Sequence, residues 1–310
     1  MKWVEVSLVV EAELAETVAD LLARHAGGGV VLQWDRGPEG DLPPHTRIPA
    51  PIRVAAYLPV DAALDDTQDR IEHGLWHLRQ IRPIPQPEFR PLEDEDWAEA
   101  WKRHYRPIPI GARLLVLPSW LPAPPGERLI LRLDPGQAFG TGTHPSTQLC
   151  LQLLEDHLRP NARVVDLGCG SGILSLAAAR LGARRVLALD TDEAAVRSAA
   201  ENVERNHLGE IVHVVHGSLE ILQARDRFEW TECDLLAANI LLGVLVDLLR
   251  AGLGRVIVPG GMVILGGVLT GQGETLEREM QAAGLTIVER RDLGEWAAWV
   301  GKKTAPEGAG

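Results

Sequence analysis

From about residue 145 onward, the sequence alternates between short apolar segments with strand character and longer segments with helical spacing. Such alternation is typical of a parallel sheet covered by helices on both faces. Only "DLGEW" separates the last two strands, too short a stretch for a parallel crossover, so one of them must run antiparallel. The sequence therefore predicts an α/β domain with these strands: 162–167, 185–190, 211–215, 233–238, 261–266, 285–291 and 297–302.

The N-terminal part of the chain follows a different pattern. Its segments occur in the order strand, helix, strand, loop, strand, helix, strand, which fits a small ferredoxin-like α+β domain. The acidic stretch after it carries Trp97 and Trp101 at helical spacing and ends in prolines, which predicts a short linker helix and a hinge. The predicted segments are the small domain, the linker, the α/β domain and a disordered tail: 1–90, 91–107, 108–302 and 303–310.

Charge and cysteine content limit the class of protein. The chain has 310 residues and a formal net charge of −12, which disfavours binding to a nucleic-acid backbone and would suit a basic protein partner. No apolar run approaches the roughly 20 residues that span a bilayer, and early acidic residues argue against a signal peptide. Three cysteines without paired spacing favour a reducing compartment. We expect a cytoplasmic monomer that contacts neither membrane nor nucleic acid.

The stretch "VVDLGCGSGILSLAAARL" places Gly168, Gly170 and Gly172 between a strand and a helix. The dinucleotide fingerprint GxGxxG fails here because its third glycine is replaced by Ile173. Asp166, just ahead of the turn, would repel a phosphate but suits a cationic group such as an ammonium. A cofactor with an amino-acid end, a ribose and no phosphate fits this turn, and S-adenosylmethionine is such a cofactor.

A second acidic residue follows at the end of the next predicted strand. Asp190 lies 22 residues beyond Gly168, a spacing at which a carboxylate can accept hydrogen bonds from ribose hydroxyls. The alternatives are that Asp166 caps its strand and that Asp190 is a helix N-cap. The two aspartates together, around this glycine turn, favour the cofactor interpretation.

These residues resemble the Rossmann-like S-adenosylmethionine-dependent methyltransferases, whose seven-stranded sheet has an antiparallel last strand; "VPGG" at 258–261 is typical of the same class. Three further stretches are similar to the ribosomal protein L11 methyltransferases, the PrmA family. They are "LDPGQAFGTGTHPSTQLCLQLLE" (133–155), "AANILL" (237–242) and the linker stretch "EDEDWAEAWKRHYRPIPIGARLLVLPSW". The resemblance covers nearly the whole chain, with "PST" and "NILL" in place of the commoner "PTT" and "NILA".

The resemblance implies methylation of lysine side chains and the N-terminal amine of ribosomal protein L11, free or on the ribosome, with the small domain recognising that substrate. It also implies cofactor contacts at Thr147, Gly168, Asp190 and Asn239, to which the glycine turn adds Asp166 and Gly170. Because the substrate amines differ in position, we expect the linker hinge to let the domains reorient.

Asn239 is the predicted catalytic residue. A lysine ammonium, with a pKa of about 10.4, must lose its proton before it can attack a methyl group. An amide oxygen at the end of the fourth parallel strand accepts an N–H bond without adding charge. His144 as a catalytic base is the weaker hypothesis, since methyl transfer does not demand a base. His213 and His216 lack metal-ligand spacing, and no metal site is predicted.

Two other functions fit part of the sequence. The chain could methylate another protein or a small-molecule amine, in which case much activity should survive removal of residues 1–90. It could also be a noncatalytic module that binds a ribosomal protein. The intact glycine turn, Asp190 and "ANIL" argue against a noncatalytic module.

Overall fold

In a computed structural model of the chain, the described residues are 3–25, 30–34, 51–61, 63–80, 82–92, 107–133, 142–224 and 230–304. They divide into two compact units, one within Met1–Pro107 and the other within Ile108–Leu133 and Gly140–Gly310. Trp97, Trp101 and the linker helix lie outside the described residues, so the hinge and the domain boundaries stay predictions. In the described ranges, no helix is long and apolar enough to cross a membrane.

The first unit is a four-stranded sheet with two helices. Its elements are β1 (Trp3–Val10), α1 (Ala12–Ala23), β2 (Val30–Trp34), β3 (Ile52–Pro59), α2 (Leu64–Arg79) and β4 (Glu88–Leu92). The strand order is β2-β3-β1-β4, and all neighbouring strands are antiparallel. Val18 and Leu22 of α1 and Ile71 and Leu75 of α2 bury their side chains in one apolar core with the sheet. This is the predicted ferredoxin-like arrangement.

The second unit begins with a small three-stranded sheet. Its strands are β5 (Ile108–Ile110), β6 (Leu114–Leu117) and β7 (Leu129–Arg132). Asn206 fixes the end of β7, because its Oδ1 accepts the Arg132 amide at 2.9 Å and its Nδ2 donates to the Arg132 carbonyl. The backbone is therefore held at Arg132, directly before the "LDPGQAF" stretch.

The rest of the second unit is a seven-stranded sheet with helices on both faces. Its strands are β8 (Arg163–Leu167), β9 (Arg185–Asp190), β10 (Val212–His216), β11 (Cys233–Asn239), β12 (Ile257–Leu269), β13 (Leu285–Leu293) and β14 (Trp296–Lys303). Its helices are α3 (Pro145–His157), α4 (Ile173–Arg180), α5 (Glu193–Arg205), α6 (Leu219–Gln223), α7 (Leu242–Arg250) and α8 (Gly273–Ala282). Short 3-10 helices cover Leu253–Val256 and Thr270–Gln272.

The strand order is β10-β9-β8-β11-β12-β14-β13, and β14 runs antiparallel to both of its neighbours. This confirms the predicted fold class and the antiparallel strand that "DLGEW" required. Successive side chains of a parallel strand lie on opposite faces of the sheet and pack into two separate apolar cores. Val164 of β8 lies in one core and Val165 in the other. Cys150, Cys169 and Cys233 are buried, as small core residues are.

The connections reverse direction between β8 and β11, because β8 leads outward to β9 while β11 lies on its other side. In open α/β sheets, such a switch point leaves a crevice outside the carboxyl ends of the two strands. Asp166 pairs in register with Ala237, and Asn239 ends β11 two residues later. The fold therefore brings the predicted site residues to one edge of the sheet.

Candidate active site

The glycine turn between β8 and α4 needs glycine on conformational grounds. Gly168, Gly170 and Gly172 have φ angles of 74°, 54° and 80°, a region that other residues rarely adopt. A Cβ on Gly168 would lie 2.5 Å from Cγ2 of Ile240, and one on Gly172 would lie 3.2 Å from Cβ of Ala199. The turn is therefore packed closely against both the end of β11 and α5.

Asp166 lies beneath this turn and is 1% exposed. Its Oδ2 accepts two hydrogen bonds from Ser175 on α4, from the amide at 3.0 Å and from the hydroxyl at 2.7 Å. Its Oδ1 is buried and has no hydrogen-bond partner among the described residues. Burial raises the pKa of this carboxyl to about 6, although the bonds from Ser175 lower it. At neutral pH the group is mostly ionised, with one oxygen available to a cationic donor.

Asp190 ends β9 beside the same turn. Its Oδ2 accepts the Gly170 amide at 2.9 Å, and its Oδ1 accepts the Asp192 amide at 3.0 Å. The N-cap of α5 is Asp192, whose side chain accepts the Ala194 amide at 2.8 Å. Asp190 is thus not the N-cap of that helix, and its carboxylate oxygens keep lone pairs for further donors.

Asn239 occupies the other side of the switch point. Its Nδ2 donates to Oγ1 of Thr147 in the first turn of α3 at 3.2 Å, while its Oδ1 is buried without a partner in the described part of the chain. A Cβ on Gly266, the register partner of Asn239 in β12, would lie 3.2 Å from that oxygen. The contact with Thr147 fixes the amide plane, and Asn239 presents a neutral acceptor.

His144 is the N-cap of α3 and is buried. Its Nδ1 accepts the Ser146 amide at 3.2 Å, so the proton of the neutral ring belongs on Nε2. Burial lowers the pKa of His144 to about 4, so the ring is neutral at physiological pH. Its acceptor nitrogen is already engaged, which fits a structural role better than that of a catalytic base.

The Trp296 ring packs edge-on against His144 at 4.6 Å between centroids. Its Nε1 is buried and has no hydrogen-bond partner among the residues described. Sequence reasoning placed Trp296 only in the short connection between the last two strands and Ser175 only in a helix. No local signal in the sequence marks Ser175 as a partner of Asp166, because their contact forms only when α4 lies over β8.

The structure brings the predicted residues together in two adjoining groups. Asp166, Gly168, Gly170 and Asp190 surround the ends of β8 and β9, and Thr147 and Asn239 meet at the end of β11. The two histidines of β10 have other contacts: His213 Nε2 lies 3.0 Å from Nη1 of Arg185, and His216 Nε2 lies 3.0 Å from the Thr191 carbonyl.

This arrangement suits two ligands side by side. The acidic group with its glycine turn can hold a molecule that carries an ammonium and vicinal hydroxyls. The neutral group can accept a hydrogen bond from an amine that has already lost its proton.

Comparison with known proteins identifies relatives along almost the whole chain. Residues 2–304 match the family model described as "Ribosomal protein L11 methyltransferase (PrmA)". A protein of that name from Chloroflexus aurantiacus is 43% identical over 97% of this chain and 98% of its own length. One from Herpetosiphon aurantiacus is 40% identical over 98% of this chain and 99% of its own.

Among solved structures, the crystal structure of a ribosomal protein L11 methylase from Lactobacillus delbrueckii subsp. bulgaricus is similar to this chain. The match has a TM-score of 0.57 and 31% sequence identity. It covers 65% of this chain and all of the other.

Proposed function

The chain belongs to the ribosomal protein L11 methyltransferase family, and we propose that it transfers methyl groups from S-adenosylmethionine to lysine side-chain and N-terminal amines of ribosomal protein L11. The observation that carries this proposal is a pair of buried oxygens on adjacent strands that have no hydrogen-bond partner among the described residues, Oδ1 of Asp166 and Oδ1 of Asn239. One is anionic and the other is neutral, as a cationic cofactor and a neutral amine require.

The glycine turn fits S-adenosylmethionine by its donors and its charge. When bound, this cofactor supplies an electrophilic methyl group attached to a sulfonium. Asp166 and Gly168 would hold its amino-acid end, where a buried carboxylate oxygen has no partner within the described ranges. Asp190 would accept the ribose hydroxyls, held in place by its bond from the Gly170 amide.

Asn239 acts on the incoming amine. Its Oδ1 accepts an N–H bond and so aims the nitrogen lone pair away from itself, toward the cofactor side of the crevice. An amide adds no charge, so it does not stabilise the ammonium form of a lysine. His144, neutral at physiological pH, adds no charge to this side of the site either. Thr147 keeps the amide of Asn239 in place, and alignment of this kind contributes to rate by proximity.

The reaction is proposed for the cytoplasm, with a monomeric enzyme and with ribosomal protein L11 either free or assembled in the large subunit. The chain's net charge of −12 suits a basic protein substrate. No nucleic-acid contact is needed for this chemistry.

The test is transfer of a labelled methyl group from S-adenosylmethionine to unmodified ribosomal proteins by the full chain. The labelled species would be identified by mass spectrometry, with free L11 and assembled large subunits assayed in parallel. Label on L11 lysine and N-terminal amines is the expected result. Cofactor binding with label on another protein, or on small amines alone, would overturn the substrate assignment. Cofactor binding with no methyl transfer to any acceptor would favour a noncatalytic module.

A further inference from the structure

Two exposed apolar side chains follow Asn239 at the end of β11: that of Leu241, the N-cap of α7, and that of Val244 in the first turn of the helix. Leu241 is 69% exposed and Val244 is 48% exposed. Residues three apart at the start of a helix share one face, so these two form a single patch, which we call the apolar lip. The core-facing side of α7 is formed instead by Leu245 and Leu249, both buried. The lip is therefore not part of the core of the protein.

The lip borders open space and continues into a negative charge. A Cβ built on Gly243 would meet no atom of the described residues within 4 Å. Asp247, three residues after Val244 and on the same face, is also exposed. The outer face of α7 thus offers apolar surface next to the active site and a carboxylate one turn farther away.

We propose that the apolar lip and Asp247 bind the segment of the methyl-accepting protein that flanks the target amine. This inference rests on the proposed function. Asn239 precedes Leu241 of the apolar lip by only two residues. A substrate polypeptide whose amine is bonded to Oδ1 of Asn239 therefore has to lie near the first turn of α7. The lip suits aliphatic surface, including the methylene stem of a lysine.

Charge supports a basic protein as the occupant. The chain has a net charge of −12, and a lysine-bearing segment is complementary to it. Asp247 adds a local carboxylate at the point where a neighbouring basic side chain of such a segment would lie. Attraction between exposed charges acts mainly on encounter and weakens with salt, which gives Asp247 a distinct experimental signature.

The main test uses the full chain with the double substitution Leu241→Ser and Val244→Ser. We expect KM for unmodified L11 to rise about tenfold with kcat changed less than about twofold, because the lip contacts the protein and not the reacting atoms. Affinity for S-adenosylmethionine should stay at the wild-type value. Val288→Ser is the matched control, since Val288 is 50% exposed on β13, the edge strand of the same sheet, and should change neither quantity.

A second variant tests the charge. Asp247→Lys should raise KM for L11 about fivefold at low ionic strength, and the difference should shrink at 0.5 M salt. A merely structural defect would not disappear with salt, and thermal unfolding of each variant verifies folding.

The outcomes separate this inference from the proposed function. If the wild-type chain binds S-adenosylmethionine but does not methylate L11, the proposed function fails and this inference fails with it. If the wild-type chain methylates L11 and both variants show wild-type KM at low salt, the proposed function stands and the docking surface is wrong.

Discussion

The carboxyl ends of β8 and β11 are neighbours in one sheet, yet one carries ionisable carboxyl groups and the other a neutral amide. At the end of β8, an ionisable carboxyl lies under three glycines of positive φ, and Asp190 adds a second carboxylate beside it. At the end of β11, the acceptor is the neutral amide of Asn239, held by the hydroxyl of Thr147. Both ends keep one buried oxygen without a partner in the described part of the chain.

The difference follows from what each end must stabilise. A permanent cation is held best by a carboxylate, and burial strengthens that interaction by lowering the local dielectric. An amine that must attack as the neutral species is harmed by the same carboxylate, because a nearby negative charge raises the amine pKa. In the proposed mechanism the site therefore uses charge for binding and a neutral dipole for chemistry. Each of the following substitutions removes or exchanges one of these features.

Removal of the neutral acceptor should have the largest effect. Asn239→Ala deletes the oxygen that we propose orients the amine, and loss of one placed hydrogen-bonding group at a reacting centre costs on the order of 100-fold in kcat. Affinity for S-adenosylmethionine should change less than threefold. Methyl-transfer rates at saturating L11 and calorimetric cofactor titrations measure the two quantities. Wild-type turnover in this variant would remove Asn239 from the mechanism.

A second substitution removes the negative charge at the end of β8. Asp166→Asn should weaken S-adenosylmethionine binding about 30-fold at pH 7.5, since hydrogen bonds to charged groups contribute roughly 1.5–3 kcal/mol. Turnover at saturating cofactor should be largely kept, which distinguishes this variant from Asn239→Ala. Equilibrium titration against steady-state kcat decides between the two patterns.

The pH dependence of S-adenosylmethionine affinity also tests the role of the Asp166 carboxylate, because it has a predicted direction. Because the free protein holds the pKa of Asp166 near a value of about 6, the ionised form that binds a cation is lost as pH falls through that value. Wild-type cofactor affinity should therefore decrease below pH 6, by up to about tenfold per pH unit. In Asp166→Asn this acid limb should be absent. An identical limb in both proteins would assign it to a different group.

Exchanging the neutral acceptor for a charged one should have a smaller effect, and one that pH reverses. Asn239→Asp keeps an acceptor oxygen but adds a negative charge, which raises the pKa of a bound lysine and lowers the neutral fraction. We expect about a tenfold lower kcat at pH 7 and an alkaline displacement of the pH profile of kcat by about one unit. Profiles from pH 6 to 10 test this, and a uniform loss at every pH would contradict it.

Much of this site was predictable from local sequence, because its residues stand at strand ends. Asp166, Asp190 and Asn239 each follow an apolar run, and the topology of a parallel sheet brings such ends together. The glycine pair of "VPGG" was harder to interpret. It predicted a strand from 261, but β12 begins at Ile257, and the register with β11 shifts between Ile257 and Met262. The glycines form an irregularity within the strand, which a turn-like composition does not distinguish.

Contacts between distant elements could not be predicted in this way. Nothing local to "EWAAWV" indicates that Trp296 packs against His144, since the pairing depends on how α3 lies across β14. Ser175 lies in an alanine-rich helix, and the sequence alone predicts an ordinary core position there. Its hydrogen bond to Asp166 depends on the packing of α4 over β8. Side-chain partners of this kind are set by tertiary packing rather than by periodicity.

Removal of the Ser175 hydroxyl should have the smallest effect of the substitutions considered, because Ser175 only adjusts the ionisation of Asp166. Its hydroxyl donates to Oδ2 of Asp166 at 2.7 Å and so favours the ionised carboxyl. Ser175→Ala should raise the pKa of Asp166 further, because burial is then opposed by fewer hydrogen bonds. One such bond contributes about 1 kcal/mol, so the ionised fraction of Asp166, and with it S-adenosylmethionine affinity, should fall about threefold at pH 6 and less than about twofold at pH 7.

The direction of this change with pH separates it from a loss of packing. The acid limb of cofactor affinity should move to higher pH in Ser175→Ala, and affinity should return toward the wild-type value at pH 8.5, where Asp166 is ionised in both proteins. Ser218→Ala is the control, since Ser218 makes no side-chain capping bond at the start of α6. A weakening that is equal at pH 6 and pH 8.5 would mean that Ser175 shapes the turn and does not adjust the charge of Asp166.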